Sequence, residues 1–218
     1  MKTFERGSLY VITDPRAQKG RSHLEVLTEA LRGGASVIQL RDKEATDEAL
    51  IEIGRSLRKV CDRFNALFIV NERIEVARAV GADGLHIGQD DISISEARRR
   101  MGRDKLLGVS THSLTQAQKA VWEGANYIGV GPIFKTPTKP DYPAVGTELI
   151  RQVRENLEIP WVAIGGIDLS NARNVLAAGA HSLAVVRGVV AEEDVTHAAQ
   201  KFKALLEEWE KSVEKKDE

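Results

Sequence analysis

The chain has 218 residues, with 31 lysines and arginines against 32 aspartates and glutamates and a formal net charge of -1. A balance this close to neutrality provides no global field for nucleic acid or an anionic membrane surface, so any polyanion must be met by a local cluster. Hydrophobic residues at 42% and charged residues at 29% are near globular averages and exclude general disorder, and the lone Cys61 excludes an internal disulfide or a cysteine metal cluster. Met1 to Gly7 lacks a signal-type apolar core, and no apolar run approaches the roughly 20 residues that span a bilayer. A cytoplasmic location is expected.

Leu9 to Thr13 reads as a buried strand stopped by Asp14-Pro15. Leu24, Leu27 and Leu31 follow a helical period behind Ser22 as N-cap, and Gly33-Gly34 closes that helix. Val37 to Leu40 forms a second strand, interrupted by Gln39 and ended by Arg41-Asp42-Lys43. Leu50, Ile53, Leu57 and Val60 make the apolar face of the next helix, with Cys61 as core filler on the same face. Leu67 to Val70 is the third strand, followed by Asn71-Glu72-Arg73 and a short helix from about Ile74 to Val80. Gly84 to Ile87 and then Gly88 to Asp91 give the fourth strand and its loop; His86, inside that strand, reads as structural.

A weaker helix, Ile94 to Met101, leads to a fifth strand, Leu106 to Val109, which gives way to Ser110-Thr111-His112. On the following helix Leu114, Ala117 and Val121 are expected to share the buried face. Tyr127 to Val130 then delivers a long loop, Gly129 to Pro140, rich in proline and in donors suited to phosphate oxygens: Lys135, Thr136, Thr138 and Lys139. Ordered loops of this length in compact domains are usually functional. An amphipathic helix after Thr147 precedes the seventh strand, Trp161 to Ile164, and Gly165-Gly166. A helix over Ser170 to Ala178, an eighth strand over Leu183 to Val186 with Arg187-Gly188 beyond it, and a last helix bearing Phe202, Leu205, Leu206 and Trp209 complete the fold. Residues 1–210 form the folded unit in this reading, and 211–218 form a mixed-charge tail that frays.

Gly34-Ala35, Gly81-Ala82, Gly124-Ala125 and Gly179-Ala180 each stand between a helix and an even-numbered strand, the mark of one C-cap repeated every two βα units. Eight strands alternating with eight helices predict a single (β/α)8 barrel of the TIM type rather than an open doubly wound sheet. Every strand ends in polar or glycine residues, and in a barrel those ends converge on the face that carries active sites.

Arg41, Lys43 and Lys139 bring three cations to that face, a match for a pyrophosphate. Glu72 and Asp91 follow adjacent strands and could share a Mg²⁺ ion, which takes few protein carboxylates and completes its shell with water and phosphate. The alternative is that they are capping or ion-pairing acids. Gly165, Gly166 and the Arg187-Gly188 turn occupy the loops where barrels commonly bind a monophosphate. No residue is an evident covalent nucleophile: Ser110 and His112, two residues apart, do not make a triad.

Taken together, Tyr10 to Asp14, Gln39-Leu40-Arg41-Asp42-Lys43, Gly84 to Asp91, Gly108-Val109-Ser110, Gly131 to Phe134 with Thr138-Lys139, and Ala163 to Ile167 resemble the thiamine phosphate synthase (thiamine-phosphate pyrophosphorylase) family. The resemblance covers nearly the whole barrel. It implies joining of hydroxymethylpyrimidine pyrophosphate to a thiazole monophosphate, with Mg²⁺, by departure of pyrophosphate and capture of a pyrimidine carbocation. It also implies that Gln39, Arg41, Lys43, Asn71, Ser110 and Lys139 hold the pyrimidine pyrophosphate, that Asp91 binds Mg²⁺, and that Thr136, Thr138, Gly166 and the Val186-Arg187 backbone hold the thiazole phosphate. Small-molecule substrates, and neither nucleic acid nor membrane, are the partners expected. Two positions depart from the family pattern: Glu72 stands where aspartate is usual, and Arg187 where serine is usual. The competing readings are a thiazole tautomerase with His112 as acid/base, and a non-catalytic binder of thiamine phosphate.

Overall fold

In the computed structural model, which describes residues 3–140 and 142–217 (side chains of 214–217 excepted), eight parallel strands close into one barrel in the order β1 to β8. The strands are β1 (Leu9–Ile12), β2 (Val37–Leu40), β3 (Leu67–Asn71), β4 (Gly84–Ile87), β5 (Leu106–Thr111), β6 (Tyr127–Val130), β7 (Trp161–Ile164) and β8 (Leu183–Val185). Closure is made by β1 against β8, with Tyr10 opposite Ala184 and Val11 opposite Val185. The helices outside are α1 (His23–Arg32), α2 (Asp47–Phe64), α3 (Ile74–Ala79), α4 (Ile94–Met101), α5 (Leu114–Trp122), α6 (Glu148–Asn156), α7 (Ala172–Ala177), α8 (Arg187–Val190) and α9 (Val195–Asp217).

Helix starts follow side-chain chemistry. Ser22, Thr46, Ser93 and Ser113 each accept a hydrogen bond from the N–H three residues on, satisfying one of the orphan donors of the first turn. The four Gly-Ala pairs end α1, α3, α5 and α7 in one geometry. Each glycine has a positive φ, from 63° to 117°, and donates to the carbonyl three residues back, while the alanine after it donates to the carbonyl five back. That pair of bonds is the Schellman cap, and an L side chain at the glycine would be strained.

Strand alternation splits the core into two layers. Outward-facing residues such as Leu9, Val11, Ile38, Phe68, Leu85 and Ile128 pack between barrel and helices, where Cys61 is also fully buried. Inside the barrel lie Tyr10, Ile12, Val37, Leu67, Ile69, Leu106, Tyr127, Val162 and Ala184, with Phe4 packed among them. The inward series continues toward the strand C-termini through Gln39, Asn71, His86 and Ser110, which are polar.

Four sequence expectations change. The eighth strand stops at Val185, and a one-turn helix, α8, precedes the last helix, giving nine helices among the described residues. Ser110 and Thr111 belong to β5 rather than to a loop, because their register with Gly129 and Val130 extends the ladder. Val121 is exposed, and Ala120 takes its place beside Ala117 on the buried face of α5. Residues 211–217 continue α9 without a break, so the expected boundary at 210 is not a helix end; Glu218 lies outside the described residues.

Candidate active site

The strand C-termini carry two adjoining cavities. The inner one, about 300 Å3, descends into the barrel between Tyr10, Ile12, Gln39, His86, Val162 and Ile164, and it is rimmed by Thr136, Thr138, Gly165, Gly166 and Val186. The outer one, about 530 Å3, is lined by charge: Arg41, Lys43, Glu72, Asp91 and Lys139. Arg41, Asn71, Ser110, Pro137, Thr138, Lys139 and Arg187 line both, so an elongated ligand could place an apolar ring inside and an anionic end outside. The structure thus brings together every site residue that the sequence pointed to.

The cations are positioned from the backbone. Thr13, fully buried, accepts from Arg41 N at 2.7 Å and donates to Arg41 O at 2.9 Å, so the turn that launches Arg41 is pinned to β1. Lys139 is half-buried; desolvation, then the neighbouring charges of Arg41 and Lys43, lower its pKa below the ordinary lysine value. Its ammonium lies 5.3 Å from the centre of the Tyr142 ring. Tyr142 in turn donates to Asp90 at 2.8 Å and packs against His112 at 4.6 Å. Cations crowded in this way, with Glu72 and Asp91 beside them, favour a further anion in the cavity.

The loop Gly129 to Pro140 leaves β6 through a cis Gly131-Pro132 bond. Ile133 and Phe134 donate to the carbonyls of Ile164 and Gly165, tying the loop to β7. Gly165 and Gly166 have φ of 103° and 63°, and a Cβ on Gly165 would come 2.4 Å from Pro132, so the two loops touch backbone to backbone. Thr138 Oγ1 donates to the buried Asp14 at 3.0 Å, and Thr136 Oγ1 accepts from Thr138 N at 3.3 Å. Asp14 was missed as a site residue; it anchors the loop from the opposite side of the mouth.

Both candidate metal acids are engaged within the chain. Glu72 sits at φ 47°, accepts from Asn71 Nδ2 at 2.9 Å and lies 3.5 Å from Lys43 Nζ. Its neighbour Arg73 pairs instead with Asp47 at 2.7 Å. Asp91 Oδ2 accepts from Gly88 N at 2.6 Å. Glu72 Oε1 and Asp91 Oδ1 have no such partner among the described residues, and both acids line the outer cavity. Two carboxylate oxygens left over beside a cation-lined cavity would suit Mg²⁺, which retains waters and prefers a few hard oxygen ligands to a full protein cage.

His86, expected to be merely structural, lines the inner cavity, and its Nε2 lies 2.9 Å from Ser110 Oγ. The signal available was its place: two residues beyond Gly84 on β4, on the inward face. Its other nitrogen faces the Tyr127 hydroxyl rather than a carboxylate, so the pair is not two-thirds of a triad. His112 also lines this cavity, but its Nδ1 is bound to the Gly131 carbonyl. Arg187, at the first position of α8, is exposed and lines both cavities.

Fold and site together define a (β/α)8-barrel enzyme for phosphorylated small molecules. A family model described as thiamine monophosphate synthase matches residues 9–189. The thiamine-phosphate synthase of Chloroflexus aurantiacus is 50% identical over 199 residues, covering 91% of this chain and 92% of that protein. That of Shouchella clausii is 47% identical over 209 residues, covering 95% and 99%. Among solved structures, thiamine phosphate pyrophosphorylase from Pyrococcus furiosus superposes with a TM-score of 0.86 at 40% identity, covering 93% of this chain and 96% of that one. The chain belongs to the thiamine monophosphate synthase family.

Proposed function

We propose that the two cavities carry out the reaction of that family by a dissociative route, with hydroxymethylpyrimidine pyrophosphate lying across both and hydroxyethylthiazole phosphate held at the β6, β7 and β8 loops. The observation that carries this reading is the shared rim: the polar residues common to both cavities, Arg41, Asn71, Ser110, Thr138, Lys139 and Arg187, stand where the apolar interior meets the cationic mouth. A bond between a pyrimidine methylene and a pyrophosphate oxygen would lie at that junction. Its electron pair leaves with the pyrophosphate, and the thiazole nitrogen donates its lone pair to the methylene carbon, forming the C–N bond of thiamine phosphate.

Arg41, Lys43 and Lys139 stabilise the negative charge that grows on the departing group, and Gln39, Asn71 and Ser110 orient the pyrimidine end. Preorganised charge of this kind is often the largest single contribution to catalysis. Thr136, Thr138, the Gly165-Gly166 backbone and the start of α8 hold the second phosphate so that the acceptor nitrogen is aimed at the carbon. Glu72 and Asp91 would hold Mg²⁺, which when bound supplies further neutralisation of the pyrophosphate. A covalent nucleophile has no part in this chemistry. The tautomerase alternative leaves Arg41, Lys43 and Lys139 without an anion to serve, and the relatives named above are synthases.

The test is release of pyrophosphate and formation of thiamine phosphate with each substrate alone and with both, with and without Mg²⁺. Product only when both substrates and Mg²⁺ are present is the expected result; rearrangement of the thiazole phosphate alone would favour the tautomerase.

Two further results are expected. Because Lys139 titrates below the ordinary lysine value, kcat/KM for the pyrimidine substrate should fall on the alkaline side as the ammonium loses its proton. Bound pyrophosphate favours the charged form, so the same limb in kcat should lie at higher pH; identical limbs would remove Lys139 from contact with the anion. Arg187→Ser, which restores the usual family residue, should raise KM for the thiazole phosphate about tenfold, equivalent to about 1.4 kcal/mol, if the guanidinium adds a contact to backbone donors. An unchanged KM would place that side chain away from the phosphate.

A further inference from the structure

Five side chains form one hydrogen-bonded line across the barrel interior. Gln39 Nε2 donates to Tyr10 Oη at 2.5 Å, Tyr10 Oη lies 3.1 Å from Tyr127 Oη, Tyr127 Oη lies 3.1 Å from His86 Nδ1, and His86 Nε2 lies 2.9 Å from Ser110 Oγ. The line runs from β2 through β1, β6 and β4 to β5. Gln39, Tyr10, His86 and Ser110 line the inner cavity, and Tyr127 lies behind it. The three middle members, Tyr10, Tyr127 and His86, are buried, and the reaction as described above gives them no task.

The direction of the line follows from counting protons. Gln39 Nε2 can only donate, so Tyr10 Oη accepts, and among the described residues the Tyr10 proton has only Tyr127 Oη to go to. A buried phenol does not leave its O–H unpaired. Tyr127, having accepted, gives its own proton to His86 Nδ1. A ring that accepts at Nδ1 is the neutral form and carries its single proton on Nε2, 2.9 Å from Ser110 Oγ. That proton goes to Ser110 Oγ, which leaves the Ser110 hydroxyl proton to point into the mouth.

We propose that Tyr10, Tyr127 and His86 are positioning residues that form a one-way hydrogen-bonded line, fixing the Gln39 carboxamide and committing the Ser110 hydroxyl to donate toward the substrate pyrophosphate. The inference rests on the reaction proposed above for what Ser110 contacts, but not for the line itself. The packing supports a dedicated arrangement. The Tyr127 ring is stacked on Phe4 with centroids 5.0 Å apart, and a Cβ at position 108 would lie 2.1 Å from Tyr127 Cζ, so Gly108 is what admits the ring at the centre of the barrel. A phenylalanine at 127 keeps the ring and its packing and deletes only the link.

The experiment combines nitrogen NMR of the histidine rings with kinetics of Tyr127→Phe, Ser110→Ala and the double variant. In the free wild-type protein, His86 should be the Nε2–H tautomer, and in Tyr127→Phe that single tautomer should be lost. Tyr127→Phe should lower kcat/KM for the pyrimidine pyrophosphate about tenfold with KM for the thiazole phosphate unchanged. In the Ser110→Ala background the same change should cost less than about twofold, since residues acting through one another are non-additive. An Nδ1–H tautomer in the wild type, a full tenfold cost in the Ser110→Ala background, or unaltered kinetics in Tyr127→Phe would each overturn the proposal. Tyr10→Phe breaks the line at a second point and should reproduce the kinetic pattern if Tyr127→Phe folds poorly; wild-type kinetics there would likewise overturn it. If the wild-type protein forms no thiamine phosphate, the reaction assignment fails, while the tautomer in the free protein still decides whether the line has its stated direction.

Discussion

Arg41→Ala and Lys139→Ala should each lower turnover by about two orders of magnitude, corresponding to about 3 kcal/mol of lost transition-state stabilisation, without loss of the fold. Both side chains line both cavities, and in the proposed reaction both would face charge that increases as pyrophosphate leaves. In that reaction their ground-state contacts would also bind the substrate, but the growth of charge on the leaving group should make the loss fall mainly on kcat. The fold should persist because neither guanidinium nor ammonium holds the barrel. The turn at Arg41 is secured by Thr13 through backbone atoms, and Lys139 is a half-buried cation beside two others. Removing Lys139 relieves like-charge repulsion, so thermal unfolding of Lys139→Ala should occur no lower than in the wild type. Steady-state turnover together with unfolding curves checks both halves. Turnover near the wild-type value in both variants would sink the pyrophosphate assignment.

Asp91→Ala should reduce Mg²⁺-dependent turnover by at least about 100-fold, and Glu72→Ala should raise the Mg²⁺ concentration needed for half-maximal turnover about tenfold, or about 1.4 kcal/mol. The difference comes from geometry. Asp91 is short and held by the Gly88 N–H, so its free oxygen is fixed relative to the loop. Glu72 is a methylene longer and is shared with Lys43 and Asn71, so it can meet the ion directly or through a retained water. Glu72→Asp should keep activity, and it should also ease the backbone: φ of 47° is better tolerated by aspartate than by glutamate. A Mg²⁺ titration of the three variants decides the matter. If Glu72→Ala shows the wild-type Mg²⁺ dependence, Glu72 is only the ion-pair partner of Lys43.

Much of the site was legible because barrel topology converts a one-dimensional rule into a place. Each strand is followed by its polar residues, and closure gathers Arg41, Asn71, Ser110, Thr138, Lys139 and Arg187 around one mouth. What escaped was anything whose role depends on the partner across the barrel. His86 looks like a strand histidine until β5 brings Ser110 to 2.9 Å of it. Tyr10 and Tyr127 read as apolar core, and only their meeting across the interior shows their two hydroxyls joined to each other and to Gln39 and His86. Asp14 reads as a turn residue, yet it holds Thr138 from 124 positions away.

Local sequence determined the elements of this protein. Helical periods, serine and threonine N-caps and four Gly-Ala stops depend on neighbours within about five residues, so they are written in the chain itself. The same locality explains the failures at the edges. The extra turn α8, the extension of β5 through Thr111 and the run of α9 through Asp217 are set by whether a distant surface or strand is there to continue the hydrogen bonding or packing. Tertiary structure alone decided which of two alternating faces looks inward, where Ala120 rather than Val121 meets the barrel, and that Glu72 is answered by Lys43 while Arg73 is answered by Asp47. A side chain's partner across a closed sheet is fixed by strand register and barrel closure, and those are properties of all eight strands together rather than of any one segment.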